Sequence, residues 1–148
     1  NRNKDKPVVK YYEGKDGILT MVSEHLKTSK NQESYDVFSR DFVENTLTPE
    51  EMAIIRKERL SSKIRVKALY THEKGDLQSV EDAQLIRLPQ SELPVSCDIA
   101  FFEDKVRIAS FKDRVVGIVI EDKEIANSFR AIFRLAWKQA EQSREGIR

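Results

Sequence analysis

The sequence predicts an α/β domain: a mixed, mostly parallel sheet with helices on both faces, ending in an antiparallel strand meander and a long C-terminal helix. Three observations carry this expectation. In the first half, short apolar runs alternate with amphipathic stretches, as parallel crossovers require. In the second half, three strand-like segments crowd into residues 98–121, a spacing that suits antiparallel hairpins. The last of them, Val115-Val116-Gly117-Ile118-Val119-Ile120, has no polar residue on either parity. A strand of that kind is covered on both faces and belongs near the centre of a layered sheet.

Each element follows from local chemistry. Pro7 opens a short strand, Val8-Val9-Lys10-Tyr11-Tyr12, and Glu13 to Gly17 reads as a turn. Ile18, Leu19, Val22, His25 and Leu26 then recur at helical spacing, giving a helix over residues 17–27. A polar loop over 29–33 leads to a second strand, 35–39. Thr48-Pro49-Glu50-Glu51 is a helix start: Thr48 caps, Pro49 suits the first helical position, and Glu51 reaches back to close a capping box. That helix runs to about Ser61 and is followed by a strand over 64–70. Residues 71–82 form a polar loop or a short helix, and 84–88 a further strand, ended by Pro89. The meander comprises strands 98–103, 106–111 and 114–121. The closing helix, 123–142, repeats Ile125, Phe129, Ile132, Phe133, Ala136, Trp137 and Ala140 on one stripe, with Asp122 placed to cap it. Phe129, Phe133 and Trp137 stand at i, i+4 and i+8 and make this unit the expected core.

Composition narrows the function. A chain of 148 residues suits a single domain, and 39% hydrophobic residues suffice for a core. Lys and Arg number 26 against 25 Asp and Glu, a balance that argues against a dedicated nucleic-acid surface. No run approaches the length of a membrane span, nothing resembles a signal peptide, and the lone Cys97 permits no internal disulfide, which together suit the cytoplasm. The first residue is Asn1 rather than Met, and residues 1–6 are polar and aperiodic. They read as the remnant of a linker, with residues 7–148 as the domain and a further portion expected upstream.

Catalytic signals are sparse. His25-Leu26-Lys27 has an H-x-K spacing, but Gln32 stands where the acid of an H-x-K-x4-D motif would come, and His25 lies on an apolar helical stripe. His72 follows a strand, and strand ends in α/β sheets are where ligands bind. Cys97 has no histidine beside it in sequence, and no metal-ligand spacing, phosphate-cradling glycine loop or nucleophile elbow occurs. The basic run Arg56, Lys57, Arg59, Lys63, Arg65 and Lys67 reads as a solvated face, with an anion-binding or DNA-facing patch as the alternative.

Five segments in order, Pro7-Val-Val-Lys-Tyr-Tyr-Glu-Gly14, Lys63-Ile-Arg-Val-Lys67, Lys105-Val-Arg-Ile-Ala-Ser-Phe111, Val116-Gly-Ile-Val-Ile-Glu121 and Ala131-Ile-Phe-Arg-Leu-Ala-Trp137, resemble the C-terminal effector domain of TrmB-type transcriptional regulators. The resemblance covers nearly the whole chain. It implies a phospholipase D-like scaffold that senses a small ligand, often a sugar, and helps dimerise a protein whose N-terminal winged helix binds DNA. Laid on the phospholipase D signature, Lys105 takes the lysine position and Gly117 that of the later glycine. Glu103 stands at the histidine position and Ser110 at the aspartate position. The nucleophile on phosphorus is then missing, and a carboxylate there repels phosphate. The resemblance therefore implies a receptor that is not an enzyme and needs no cofactor or metal. Its expected partners are a second copy of itself and a sugar or phosphorylated metabolite; an exposed part of the C-terminal helix is the candidate dimer surface. DNA would be reached only through the upstream domain, and no membrane is involved. A bare interaction module and a phosphodiesterase-like hydrolase are the alternatives. A pocket is expected where the parallel strands end and beside the vanished motif, at Ser39, Arg40, Thr71, His72, Glu103, Lys105 and Ser110.

Overall fold

A computed structural model describes residues 6–29, 32–78, 80 and 82–146. Apart from Lys6, the expected linker lies outside the described residues. The elements in chain order are β1 (Val8–Glu13), α1 (Gly14–Thr28), β2 (Glu33–Ser39), α2 (Arg40–Thr46), α3 (Pro49–Ser62), β3 (Arg65–Thr71), β4 (Ala83–Arg87), β5 (Cys97–Phe102), β6 (Lys105–Ser110), β7 (Val116–Glu121) and α4 (Lys123–Gly146). The strands form one sheet in the order β1-β7-β6-β5-β2-β3-β4. No described helix is long and apolar enough to cross a membrane.

The local signals work as expected. Thr48 Oγ1 accepts from Glu51 N at 3.1 Å while Glu51 Oε1 accepts from Thr48 N at 2.8 Å, so the capping box starts α3. Asp122 Oδ2 accepts from Ile125 N at 2.9 Å and starts α4. Ser39 caps α2, a helix the sequence did not predict.

The sheet is mixed and covered on both faces, but its parallel share is smaller than expected. Parallel pairing is confined to β2-β3 and β3-β4; the other four pairings are antiparallel. The reason is the route of the chain. β1 does not join β2 in a parallel unit but pairs antiparallel with β7 at the far edge, Val9 opposite Ile120. That places β7 next to an edge strand instead of in the centre, although helices cover both its faces.

Two cores result. On one face α4 contributes Ala126, Phe133, Trp137 and Ala140, which pack with Leu69, Ile86, Phe101 and Val106. Phe133 stacks on Tyr35 with centroids 4.9 Å apart. Ile132, expected on this stripe, is 64% exposed, because the buried arc of α4 is set by positions 126, 133, 137 and 140. On the other face α1 buries Ile18 and Met21 against Ala109, Phe111 and Val119. α3 packs on α1 and stands off the sheet, which leaves space between α3 and the strands.

Candidate functional site

That space is a cavity of about 470 Å³, within the range of small-molecule sites. Its floor comes from the even positions of β2 and β5 and the odd positions of β6. Strand pleating aims those side chains at the α1–α3 side. Along the floor, register sets Asp36 opposite Ala100 and Ala100 opposite Arg107. Ala68 flanks Asp36 on its other side. The two alanines are fully buried. Their small side chains leave room for a guanidinium to reach across the sheet.

Arg107 fills that room with its side chain only 7% exposed. One terminal nitrogen lies 4.0 Å from Asp36 Oδ2 and 3.7 Å from Asp98 Oδ1. The other meets His25 Nδ1. Ser34 Oγ donates to Asp36 Oδ1 at 2.6 Å. Asp36 and Asp98 line the cavity, to which their side chains keep 18% and 23% exposure. Burial raises the carboxyls of both; Arg107 opposes this, yet Asp98 is still pushed up to about 6. Burial pulls the Arg59 guanidinium, on the α3 wall, below its ordinary value, with Asp36 opposing.

His25 completes the cluster. Its ring is 6% exposed and stacks on Phe102 with centroids 3.5 Å apart. Burial, and then the charges of Arg107 and Lys105, push it down to about 2, so the ring is neutral. Arg107 has only donors, so His25 Nδ1 is the acceptor and the ring proton sits on Nε2. Among the described residues that N–H has no hydrogen-bond partner, and Asp98 Oδ1 has only the Arg107 guanidinium, 3.7 Å away. Both atoms are buried, and the unpaired donor costs about 1–3 kcal/mol. What the cavity presents is the remaining exposure of the Asp36 and Asp98 carboxylates beside Arg107, and a carboxylate accepts from a ligand hydroxyl. A second hollow, between α1 and α3, has none of its lining side chains buried.

The seven residues expected to form the pocket are not brought together. Ser39 and Thr71 end β2 and β3, and Arg40 and His72 follow them directly. Ser110 lies at the same end of the sheet, since Cys97, its partner, begins the antiparallel β5. Glu103 and Lys105 lie at the opposite end, in and after the β5–β6 hairpin, with Lys105 five strand steps or roughly 17 Å from Ser110. The positions matched to the motif's histidine and aspartate thus do not share one site. Glu103 adopts φ 50° in the hairpin, and its Oε1 accepts from the buried Ser29 Oγ at 2.8 Å. The Lys105 ammonium stands 6.0 Å from the centre of the Phe102 ring. Of the seven, only Arg40 lines the cavity. Thr71 Oγ1 is buried without a partner, but alternation with Leu69 puts it on the α4 face.

Sequence reasoning missed Asp36, Asp98 and Arg107 and took His25 as structural. Strand alternation marks Arg107 for one face and Val106 and Ile108 for the other. It did not say that the polar face is also covered. Arg56 and Arg59, expected on a solvated helix face or an anion-binding patch, both line the cavity.

No protein family matches the chain, and no curated protein does. Solved structures do. NucT from Helicobacter pylori superposes with a TM-score of 0.64 at 12% identity, over 90% of this chain and 97% of its own. Nuc from Salmonella typhimurium, a phospholipase D family member, gives 0.63 at 14% identity, over 90% and 96%. TrmBL2, an archaeal chromatin protein with a novel mode of DNA binding, gives 0.62 at 15% identity over 89% of this chain. The chain spans about half the length of TrmBL2, 52%. The fold is therefore phospholipase D-like, shared with NucT, with Nuc and with the corresponding part of TrmBL2.

Proposed function

We propose that this chain is the ligand-sensing and dimerising domain of a TrmB-type transcriptional regulator. The cavity over Arg107 is its effector pocket, and the phospholipase D-like scaffold is catalytically silent. The observation that carries the reading is a cavity of about 470 Å³ lined by Asp36, Asp98 and Arg107. A sugar presents hydroxyls to the two carboxylates. A phosphorylated metabolite would add an anion for Arg40, Arg56 or Arg59. The reading of silence is supported by Glu103, a carboxylate at the position matched to the motif's histidine, which accepts from Ser29 Oγ. Ligand binding that favours one arrangement of a cytoplasmic dimer would reset the spacing of two upstream DNA-binding domains.

A second reading, an interaction module without a ligand, is favoured by one observation. Ile132 and Leu135 on the outer face of α4 are 64% and 73% exposed. A thermal-shift panel separates the two. Neutral sugars and sugar phosphates are added to the chain and to the Asp98→Asn variant. A stabilising compound whose effect disappears in Asp98→Asn, and persists in Lys105→Ala, supports the pocket. No stabilisation by any compound, or equal stabilisation of Asp98→Asn, defeats it. Turnover of a generic phosphodiester that vanishes in Lys105→Ala would overturn catalytic silence.

A further inference from the structure

We propose a divalent-cation site at the carboxyl ends of β2 and β3, formed by Asp41, Glu44 and His72 and distinct from the cavity cluster. One oxygen or nitrogen from each of the three lies within 4.8 Å of the others. Asp41 and Glu44 stand at i and i+3 on α2, one above the other. His72 comes from the segment after β3, and its side chain is 7% exposed.

The bonding of His72 is what points to a cation. Its Nδ1 lies 3.0 Å from the Gly75 carbonyl oxygen, outside the cluster. A carbonyl only accepts, so Nδ1 carries a proton and donates. In a neutral ring Nε2 is then a bare lone pair. It is aimed at Glu44 Oε1, 3.1 Å away, which also only accepts. Two acceptors facing each other repel, so either a second ring proton or a metal ion lies between them. A ligating histidine characteristically donates its other ring N–H to a carbonyl, as His72 does. Two ligands on one tetrahedral zinc sit roughly 3.4 Å apart, from bond lengths of about 2.0–2.2 Å. The separation of Nε2 and Oε1 is close to that. One imidazole and two carboxylates suit a first-row divalent cation with a position left for water.

The site would join two parts of the chain. Glu73 N already donates to both Asp41 oxygens, at 3.2 and 3.3 Å, so the segment after β3 rests on α2. A cation there would fasten that segment, whose continuation through Asp76, Leu77 and Gln78 lines the cavity. Arg40, now 3.2 Å from Glu44 Oε2, keeps one carboxylate oxygen while the other takes the metal.

The test uses the whole chain, freed of metal by a chelator, in a Cys97→Ser background that removes the one thiol. Zinc is titrated with calorimetry and thermal shift, and cobalt(II) with visible absorption. One zinc per chain with a rise in Tm is expected, and a cobalt d–d band. Both are expected to weaken at least about tenfold in Glu44→Gln and in His72→Ala. Glu44→Gln keeps the volume and the Arg40 contact, so it reports on ligation even if His72→Ala folds poorly. Absence of binding by the parent chain would mean that His72 is a doubly protonated ion-pair partner only. That result, or binding undiminished in both variants, overturns the site.

Discussion

Replacing Arg107 by methionine keeps most of the stem and removes the charge. In the parent, one guanidinium at 3.7 and 4.0 Å serves two carboxylates whose remaining exposure is to the cavity. Without it Asp98 loses its counter-charge, Asp36 keeps only the more distant Arg59, and His25 Nδ1 loses its donor. Breaking a buried pair by removing one partner costs about 3–5 kcal/mol. The partial exposure of both carboxylates places the expected loss near the lower end, at about 3 kcal/mol at pH 8. At pH 5 Asp98, pushed up to about 6, is protonated, and the loss is expected to shrink by about 1 kcal/mol or more. Asp98→Asn removes one of the two stranded charges, so the double variant should recover part of the loss as a coupling energy. Urea melts of the four proteins at both pH values measure this. If Arg107→Met stays within about 1 kcal/mol of the parent at pH 8, or Asp98→Asn leaves its cost unchanged, the reasoning about the cluster is wrong.

Three further outcomes are expected. The Asp98 carboxyl is raised on folding from 3.8 to about 6, so the folded state holds the proton more tightly. Its contribution to stability is present below the unfolded value and is lost as pH rises through 6. The whole effect is about 3 kcal/mol, about half of it between pH 5 and 8, and the Asp98→Asn variant should lose that slope in pH-dependent melts. Gly117→Ala places a β carbon 2.7 Å from Met21 Sδ and 2.9 Å from its Cε. The end of that chain can shift, so the cost in a denaturant melt should be about 1 kcal/mol, and less in a Met21→Ala background. Leu135→Glu, at a position 73% exposed, should leave monomer stability within about 0.5 kcal/mol and dissociate any dimer seen by sedimentation, if α4 is the dimer surface.

Much of the fold was legible because it rests on local chemistry. Thr48 with Glu51, and Asp122, announce helices through hydrogen bonds made within four residues. The stripe of Phe129, Phe133 and Trp137 needs only a 3.6-residue period. α2 was not legible, since Arg40–Thr46 makes barely two turns and shows no period. The antiparallel pairing of β1 with β7 joins the two ends of the chain, and no local signal reports it.

The site was less legible for a related reason. Arg107 sits in Lys105-Val-Arg-Ile-Ala-Ser110, where alternation sends Val106 to one core. It gives no sign that Arg107 goes to another and not to solvent. A usable signal existed in His25, which follows Ile18 and Met21 by seven and four residues and so shares their buried face. A histidine on that stripe needs a polar partner, and here the partner is Arg107.

The most direct measurement is a crystal structure with a stabilising sugar or sugar phosphate bound. Its hydroxyls should fall within hydrogen-bonding distance of the Asp36 and Asp98 carboxylates, between the sheet and α3. Density for the compound at the Glu103–Lys105 hairpin, with the cavity filled only by water, would contradict the assignment.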